Sequence, residues 1–352
     1  MGLHFQTVST TNPLFRLLEY PGKNFGGAGV DLFFVLSGFL VGGLLMKEYK
    51  RTDALDVPRF IIRRGMKIWP AYYLFIFLEV ATHAHPLRSF LWQNLLHVQN
   101  YAGSTILHSW SLAVEEHFYL ALALGMGWMV SRRWKPDKML KTLIVLLAVV
   151  AFVRTTCYFL FGAEAAFEQT HNRIDSLACG VILALAFNFY PDQFAALSKQ
   201  RTLLTLTASL VVLFMCTCKA TIIRNTIGFT ILYIGAASFL LLVYSNSENF
   251  RHRLAYRVVA TIGVNSYGIY LYHNSIRSAC FSLAKHAPDN LQWPVLMLSQ
   301  YSAAILLGVA MTRLVEWPIL RYRDRLLPQS VADIGSIQPG QIKTQKALAA
   351  TA

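Results

Sequence analysis

The sequence predicts an all-α fold, a multi-pass transmembrane helical bundle, and three observations predict it. Hydrophobic residues make up 55% of the 352 and charged residues only 14%, where soluble chains carry about a quarter. Apolar runs recur near the ~20 residues that cross a bilayer. Basic residues gather in alternate connections between those runs, the pattern that membrane topology imposes. A helix satisfies its own backbone in lipid, so the runs are read as helices.

Spans are read at roughly 28–46, 60–82, 109–130, 139–162, 174–190, 203–218, 226–245, 258–284 and 294–316. With their connections they form one integral domain, 1–326. The polar stretch 327–352, "LPQSVADIGSIQPGQIKTQKALAATA", is expected to be a mobile cytoplasmic tail. Loops on one side hold Lys47, Lys50, Arg51, Arg59, Arg63, Arg64 and Lys67, then Arg132, Arg133, Lys135, Lys138 and Lys141. Lys199, Arg201, Arg251, Arg253, Arg257, Arg321, Arg323, Arg325, Lys343 and Lys346 continue that side, against Arg16, Lys23, Arg88, Arg173, Lys219, Arg224 and Lys285 on the other. The rich side is expected to face the cytoplasm. The net charge of +14 is then mainly topology, and no nucleic-acid partner is expected. About nine spans leave the start outside with no signal segment before "MGLHFQTVST". A further helix ahead of Met1, with Met1–Phe5 as its outer end, gives ten and restores an inside start.

In the first span, "GGAGVDLFFVLSGFLVGGLL", Asp31, Gly38, Gly42 and Leu45 share a helix face. Gly38-x-x-x-Gly42 is a close-packing surface, whereas Asp31 at the outer end needs a partner or water. The second span opens "RFIIRRGMKIWPAYYLF". Arg63, Arg64 and Lys67 are either an ordinary topogenic cluster or a clamp for an anionic head group beside the kink at Pro70.

The third span carries "HSWSLAVEEHFYL", where His108, Ser111, Glu115 and Tyr119 share a face and Glu116 lies about 100° away. Carboxylates there are too costly to face lipid. A structural polar network and a functional cavity both explain them. The spans at 139–162, 203–218 and 226–245 rest on apolar length. At the outer end of the fifth, "HNRIDSLACG", Arg173 and Asp175 point apart. Arg173 is therefore expected to pair with Asp31 or Glu115. "NSYGIYLYHNS" places Tyr267, Tyr270 and His273 on a polar path. In "RLVEWPILRYR", Glu316 is expected to pair locally with Arg313 or Arg321. The five cysteines, Cys157, Cys179, Cys216, Cys218 and Cys280, are read as buried free thiols, and no metal is expected.

The segments "GVDLFFVLSGFL", "RRGMKIWPAYY", "HSWSLAVEEHFYL", "NRIDSLACG", "NSYGIYLYH" and "EWP" come in an order that resembles the acyltransferase-3 family of integral membrane acyltransferases, over residues 4 to 325. The resemblance implies ten helices and transfer of an acyl group, commonly acetyl, from acyl-CoA to a hydroxyl of a carbohydrate or glycolipid. His4, in "GLHF", matches the family's first-helix histidine, while the arginine eleven positions ahead of it falls before Met1. The family's R-x-x-R reads Arg64-Gly-Met-Lys67 here, which removes bidentate phosphate recognition at Lys67.

The implied site has His4 as base, with Glu115 and Glu116 as carboxylates in catalysis. Arg63, Arg64 and Lys67 are expected to bind the acyl-CoA phosphates. Asp31, Ser37, His108, Arg173, Asp175, Tyr267 and His273 are expected to support the site or the acceptor. The expected location is a bacterial inner membrane, with the oligomeric state left open. A transporter or flippase of polar lipid-linked or glycoside substrates is the competing class. It commonly shows internal repeats, and no convincing one is seen.

Overall fold

The computed structural model describes residues 12–82, 87–250 and 254–328. The expectations for His4, for Met1–Phe5 and for the tail beyond 328 lie outside these residues. Within them the fold is helical, with no strand. In chain order the helices are α1 (Pro13–Phe25), α2 (Ala28–Thr52), α3 (Val57–Thr82), α4 (Leu87–Leu95), α5 (Gln99–Ala102), α6 (Trp110–Ser131), α7 (Pro136–Phe161), α8 (Ala163–Glu168) and α9 (Ile174–Phe189). They continue as α10 (Pro191–Lys199), α11 (Arg201–Thr217), α12 (Thr221–Asn225), α13 (Ile227–Phe250), α14 (Leu254–Val264), α15 (Ser266–Tyr272), α16 (Arg277–Lys285), α17 (Asp289–Met311) and α18 (Trp317–Leu326).

Among the described residues four stretches are long and apolar enough to cross a membrane: Ala28–Thr52, Pro136–Phe161, Ile227–Asn246 and Asp289–Leu326. α3 and α6 are of similar length but carry charge in mid-helix. The outward surfaces are apolar: Phe152, Phe159, Leu160, Phe161, Leu298 and Leu306 are all exposed. Asp31, Glu115, Arg154, Arg173 and Asp175 are buried. Greasy outside and charged within is the arrangement lipid selects. The protein is an integral membrane helical bundle.

Two elements differ from the sequence reading. The run at 258–284 is not one helix but α14, α15 and α16, broken at Asn265 and again at His273–Ile276. Asn265 turns its side chain back onto the Thr261 carbonyl at 2.8 Å, the local competition with helix that asparagine offers. Before the first span the chain forms α1. Asn12 caps it by accepting from Leu14 N at 2.9 Å, and Pro13 occupies its first position; both are start signals. Phe15 stacks on Trp293 with ring centroids 4.3 Å apart, and Trp293 Nε1 donates to Glu19 at 2.5 Å. These contacts tie α1 to α17. At Tyr190–Pro191 the chain turns by 116° from α9 into α10, because the residue before a proline avoids helical backbone.

The centre of the bundle is the crossing of α2 with α9. Gly38 lies against the Leu177 backbone and Gly42 against Val181, while Gly180 lies against Val35 and Phe39. A Cβ at Gly38 would collide with the Leu177 carbonyl, whereas one at Gly43 would meet nothing within 4 Å. Around the crossing Phe34, Val41 and Leu45 pack with Leu177, Ala178 and Val181. The face predicted for Asp31, Gly38, Gly42 and Leu45 is the buried one.

Gly38→Val is expected to destabilise the protein by about 1–3 kcal/mol, read as a lower thermal midpoint in detergent, while Gly43→Val leaves the midpoint in place. A second expectation concerns the connection between α4 and α5, outside the spans. His97 stacks on Tyr72 there at 4.5 Å, and burial pushes its imidazole down to about 4. A depressed value means the unfolded chain takes the proton first. Stability should therefore be full above about pH 6.5 and decline as pH falls through 4. His97→Gln should show a shallower decline over that window.

Candidate active site

α6 begins at Trp110 after a single tight turn, Leu107–Ser109. That start sets His108, Ser111, Glu115 and Tyr119 along one buried face. Glu115 Oε1 accepts from Ser37 Oγ of α2 at 2.6 Å and from the Tyr119 hydroxyl at 2.5 Å. The two hydroxyl oxygens also lie against each other, so a relay from Tyr119 through Ser37 to Glu115 is the other arrangement of the same two protons. From α3, Arg64 Nη2 donates to the Tyr119 hydroxyl at 3.1 Å, and its guanidinium lies 4.5 Å from that ring's centroid. One carboxylate, two hydroxyls and a guanidinium thus join α2, α3 and α6. Two atoms beside them stay open. Arg64 Nε and Glu116 Oε1 are buried without a hydrogen-bond partner, although Glu116 Oε2 accepts from Trp69 Nε1 at 2.8 Å.

Arg173 pairs with Asp31 rather than with Glu115. Its Nη2 lies 2.8 Å from Asp31 Oδ1, which also accepts from Ser176 Oγ at 2.9 Å. The Arg173 guanidinium sits among rings, 3.8 Å from Phe229 and 5.5 Å from Trp110 and Phe167. Asp175 points the other way and pairs with Arg154 Nη1 at 2.5 Å. Arg154 also donates to the carbonyls of Asn172 and Thr226 and to Thr230 Oγ1, each at 3.0 Å. The sequence reading missed Arg154. A cation deep inside the apolar run 139–162, well past Lys141 at its start, was the signal, since such a residue requires a partner.

The breaks flanking α15 complete the face of α6. Asn274 Nδ2 donates to His108 Nδ1 at 3.0 Å, which leaves the ring proton on Nε2, 3.1 Å from the Leu271 carbonyl. The Tyr270 hydroxyl donates to the His108 carbonyl at 2.9 Å and lies 2.6 Å from Ser111 Oγ. The His273 ring stands 4.9 Å from that of His108, with its Nδ1 on the Tyr270 carbonyl at 2.6 Å. Tyr267 donates to the Ile68 carbonyl at 3.0 Å and so fastens α15 to α3.

On the basic face Arg63 and Arg64, neighbours on α3, diverge. Arg63 turns outward to Asp324 of α18 at 3.0 Å and to the Leu327 carbonyl. Arg64 turns inward to Tyr119. Lys67, one turn further on, is half-buried. Glu316 corrects an expectation. Its bond is from Thr312 Oγ1 at 2.9 Å, while Arg313 lies over Trp317 with its guanidinium 5.6 Å from the ring. Residues Thr312–Glu316 form a π-helical turn. The extra residue in such a turn rotates the helix beyond it, which carries Glu316 into the bundle. Among the described residues no group of three or more His, Cys, Asp or Glu is placed to hold a metal ion.

The profile of a family described as an acyltransferase domain matches residues 1–313. The peptidoglycan O-acetyltransferase OatA of Listeria monocytogenes is 26% identical over 334 residues, covering 86% of this chain and 52% of that protein. The O-acetyltransferase OatA of Staphylococcus aureus is 27% identical over 280 residues, 71% of this chain and 46% of its own. The putative peptidoglycan O-acetyltransferase YrhL of Bacillus subtilis is 28% identical over 291 residues, 73% and 45%. The chain spans about half the length of the curated relatives it matches. No solved structure matches it.

Removing one partner of a buried ion pair strands the other charge, at about 3–5 kcal/mol. Arg154→Met should therefore lower the thermal midpoint in detergent sharply. Adding Asp175→Leu to it should recover part of the loss, because neither charge of that pair then remains buried. A double variant no more stable than the single one would show that Asp175 is not the cost.

Proposed function

The chain belongs to the acyltransferase family whose profile spans residues 1–313, and on that premise we propose that it is a membrane O-acyltransferase. It moves an acetyl group from cytoplasmic acyl-CoA to a hydroxyl of a carbohydrate or glycolipid acceptor outside. The observation that carries this reading is the buried chain Arg64–Tyr119–Ser37–Glu115. A carboxylate behind hydroxyls, with a cation at one end, is what acyl transfer needs and what a passive bundle has little reason to bury. The peptidoglycan in the names of the relatives makes a cell-wall saccharide the first acceptor class to test.

In the reaction the acceptor oxygen attacks the thioester carbonyl. A C–O bond forms, the C–S bond breaks, and the acceptor proton passes through a base to the departing thiolate. The base is assigned to His4 on its resemblance to the family histidine, and a carboxylate that orients an imidazole and steadies its positive charge is the role given to Glu115. Glu116, with Oε1 unpartnered, is a second carboxylate for the same centre. Arg63, Arg64 and Lys67 attract the phosphates of the donor, and the unpaired Nε of Arg64 keeps a donor in hand for them. Asp31, Ser37, His108, Arg173, Asp175, Tyr267 and His273 hold this assembly. Because basic residues mark the cytoplasmic side, the donor enters from the face of Arg59, Arg63 and α18.

Labelled acetyl-CoA supplied to inside-out vesicles should place label on an extractable glycan or lipid. Movement of unmodified substrate without labelling would favour a transporter and overturn the reading. Glu115→Gln should reduce transfer by about 10²–10⁴-fold. Arg64→Ala should raise the donor KM about tenfold or more, and an unchanged donor dependence would remove Arg64 from donor binding.

A further inference from the structure

At the membrane face opposite the basic loops, the ends of α2, α11 and α13 and the short helices α8 and α12 enclose a cavity of about 260 Å³. Asp31, buried, lies at its base, and Phe167, Phe214 and Phe229 form its walls. Arg224 is exposed and Asn225 half-buried at the rim. Behind the base, Arg173 holds Asp31 with one nitrogen, while its Nε and Nη1 are buried with no partner.

The lining selects a class of ligand. An acyl chain would desolvate Asp31 and leave it no new partner. A phosphate or nucleotide would meet a carboxylate at the base. A sugar ring fits both halves, since its C–H faces pack on aromatic rings while its hydroxyls serve as donor to Asp31 and acceptor from Arg224. The volume lies just below the ~300 Å³ at which drug-sized pockets begin, so it suits one ring rather than a chain of them.

We propose that this cavity is the acceptor subsite, holding a single sugar ring between Phe214 and Phe229, with Arg224 and Asn225 setting its orientation. The proposal rests on the acyltransferase reading for the reaction but not for the binding. Two measurements on the full chain in detergent or proteoliposomes separate them. In saturation-transfer NMR with N-acetylglucosamine, the wild type should transfer saturation to the ring protons, and Phe214→Ala should lose it. Arg224→Ala, a change at an exposed residue that leaves the core intact, should raise the acceptor KM about tenfold. Donor KM and donor hydrolysis without acceptor should stay unchanged. No saturation in the wild type, or an acceptor KM unmoved in both variants of a protein that transfers acetyl, overturns the subsite. Saturation that Phe214→Ala abolishes, in a protein that transfers no acetyl, upholds the subsite and overturns the acyltransferase reading instead.

Discussion

The cost of an unpaired charge away from water governs this structure. Asp31, Glu115, Arg154, Arg173 and Asp175 are all buried in the bundle, at a depth where a stranded ion costs several kcal/mol. Each is met by a partner from another helix. Asp31 of α2 takes Arg173 at the start of α9, Asp175 of α9 takes Arg154 of α7, and Glu115 of α6 takes hydroxyls from α2 and from its own helix. Because the partners come from different helices, satisfying the charges also fixes how those helices stand against one another.

That arrangement needs close approach, and glycine supplies it. Gly38 and Gly180 let α2 and α9 touch backbone to backbone, which brings Ser176 and Arg173 within hydrogen-bond distance of Asp31. Side chains at those positions would hold the helices apart and strand the pair. Small residues at the crossing and polar residues at its end are therefore two parts of one device.

Irregular backbone does the comparable work on the other side of α6. The turn between α15 and α16 places Asn274 and His273 against His108, and the π-helical turn before α18 brings Glu316 inward. A continuous helix through 258–284 would have spent those backbone groups on itself. Non-helical backbone at such depth persists where protein surrounds it, and here it surrounds the face of α6 that carries Glu115.

The sequence by itself determined the class of fold, the position of most apolar helices, and the buried face of α2, because bilayer length and helical period are local properties of a chain. It also determined that Arg173 needs a distant carboxylate, since residues two apart on a helix cannot meet. Which carboxylate, Asp31 and not Glu115, was decided by the packing of α9 on α2. The fate of Arg63 and Arg64 was decided in the same way. One turn of α3 sends Arg63 to α18 and Arg64 to Tyr119, a divergence that depends on what packs against each. Arg154 and the break at Asn265 left signals in the sequence, an isolated cation and a poor helix former. Their partners, Asp175 and the surroundings of His108, arise only when separate helices pack together.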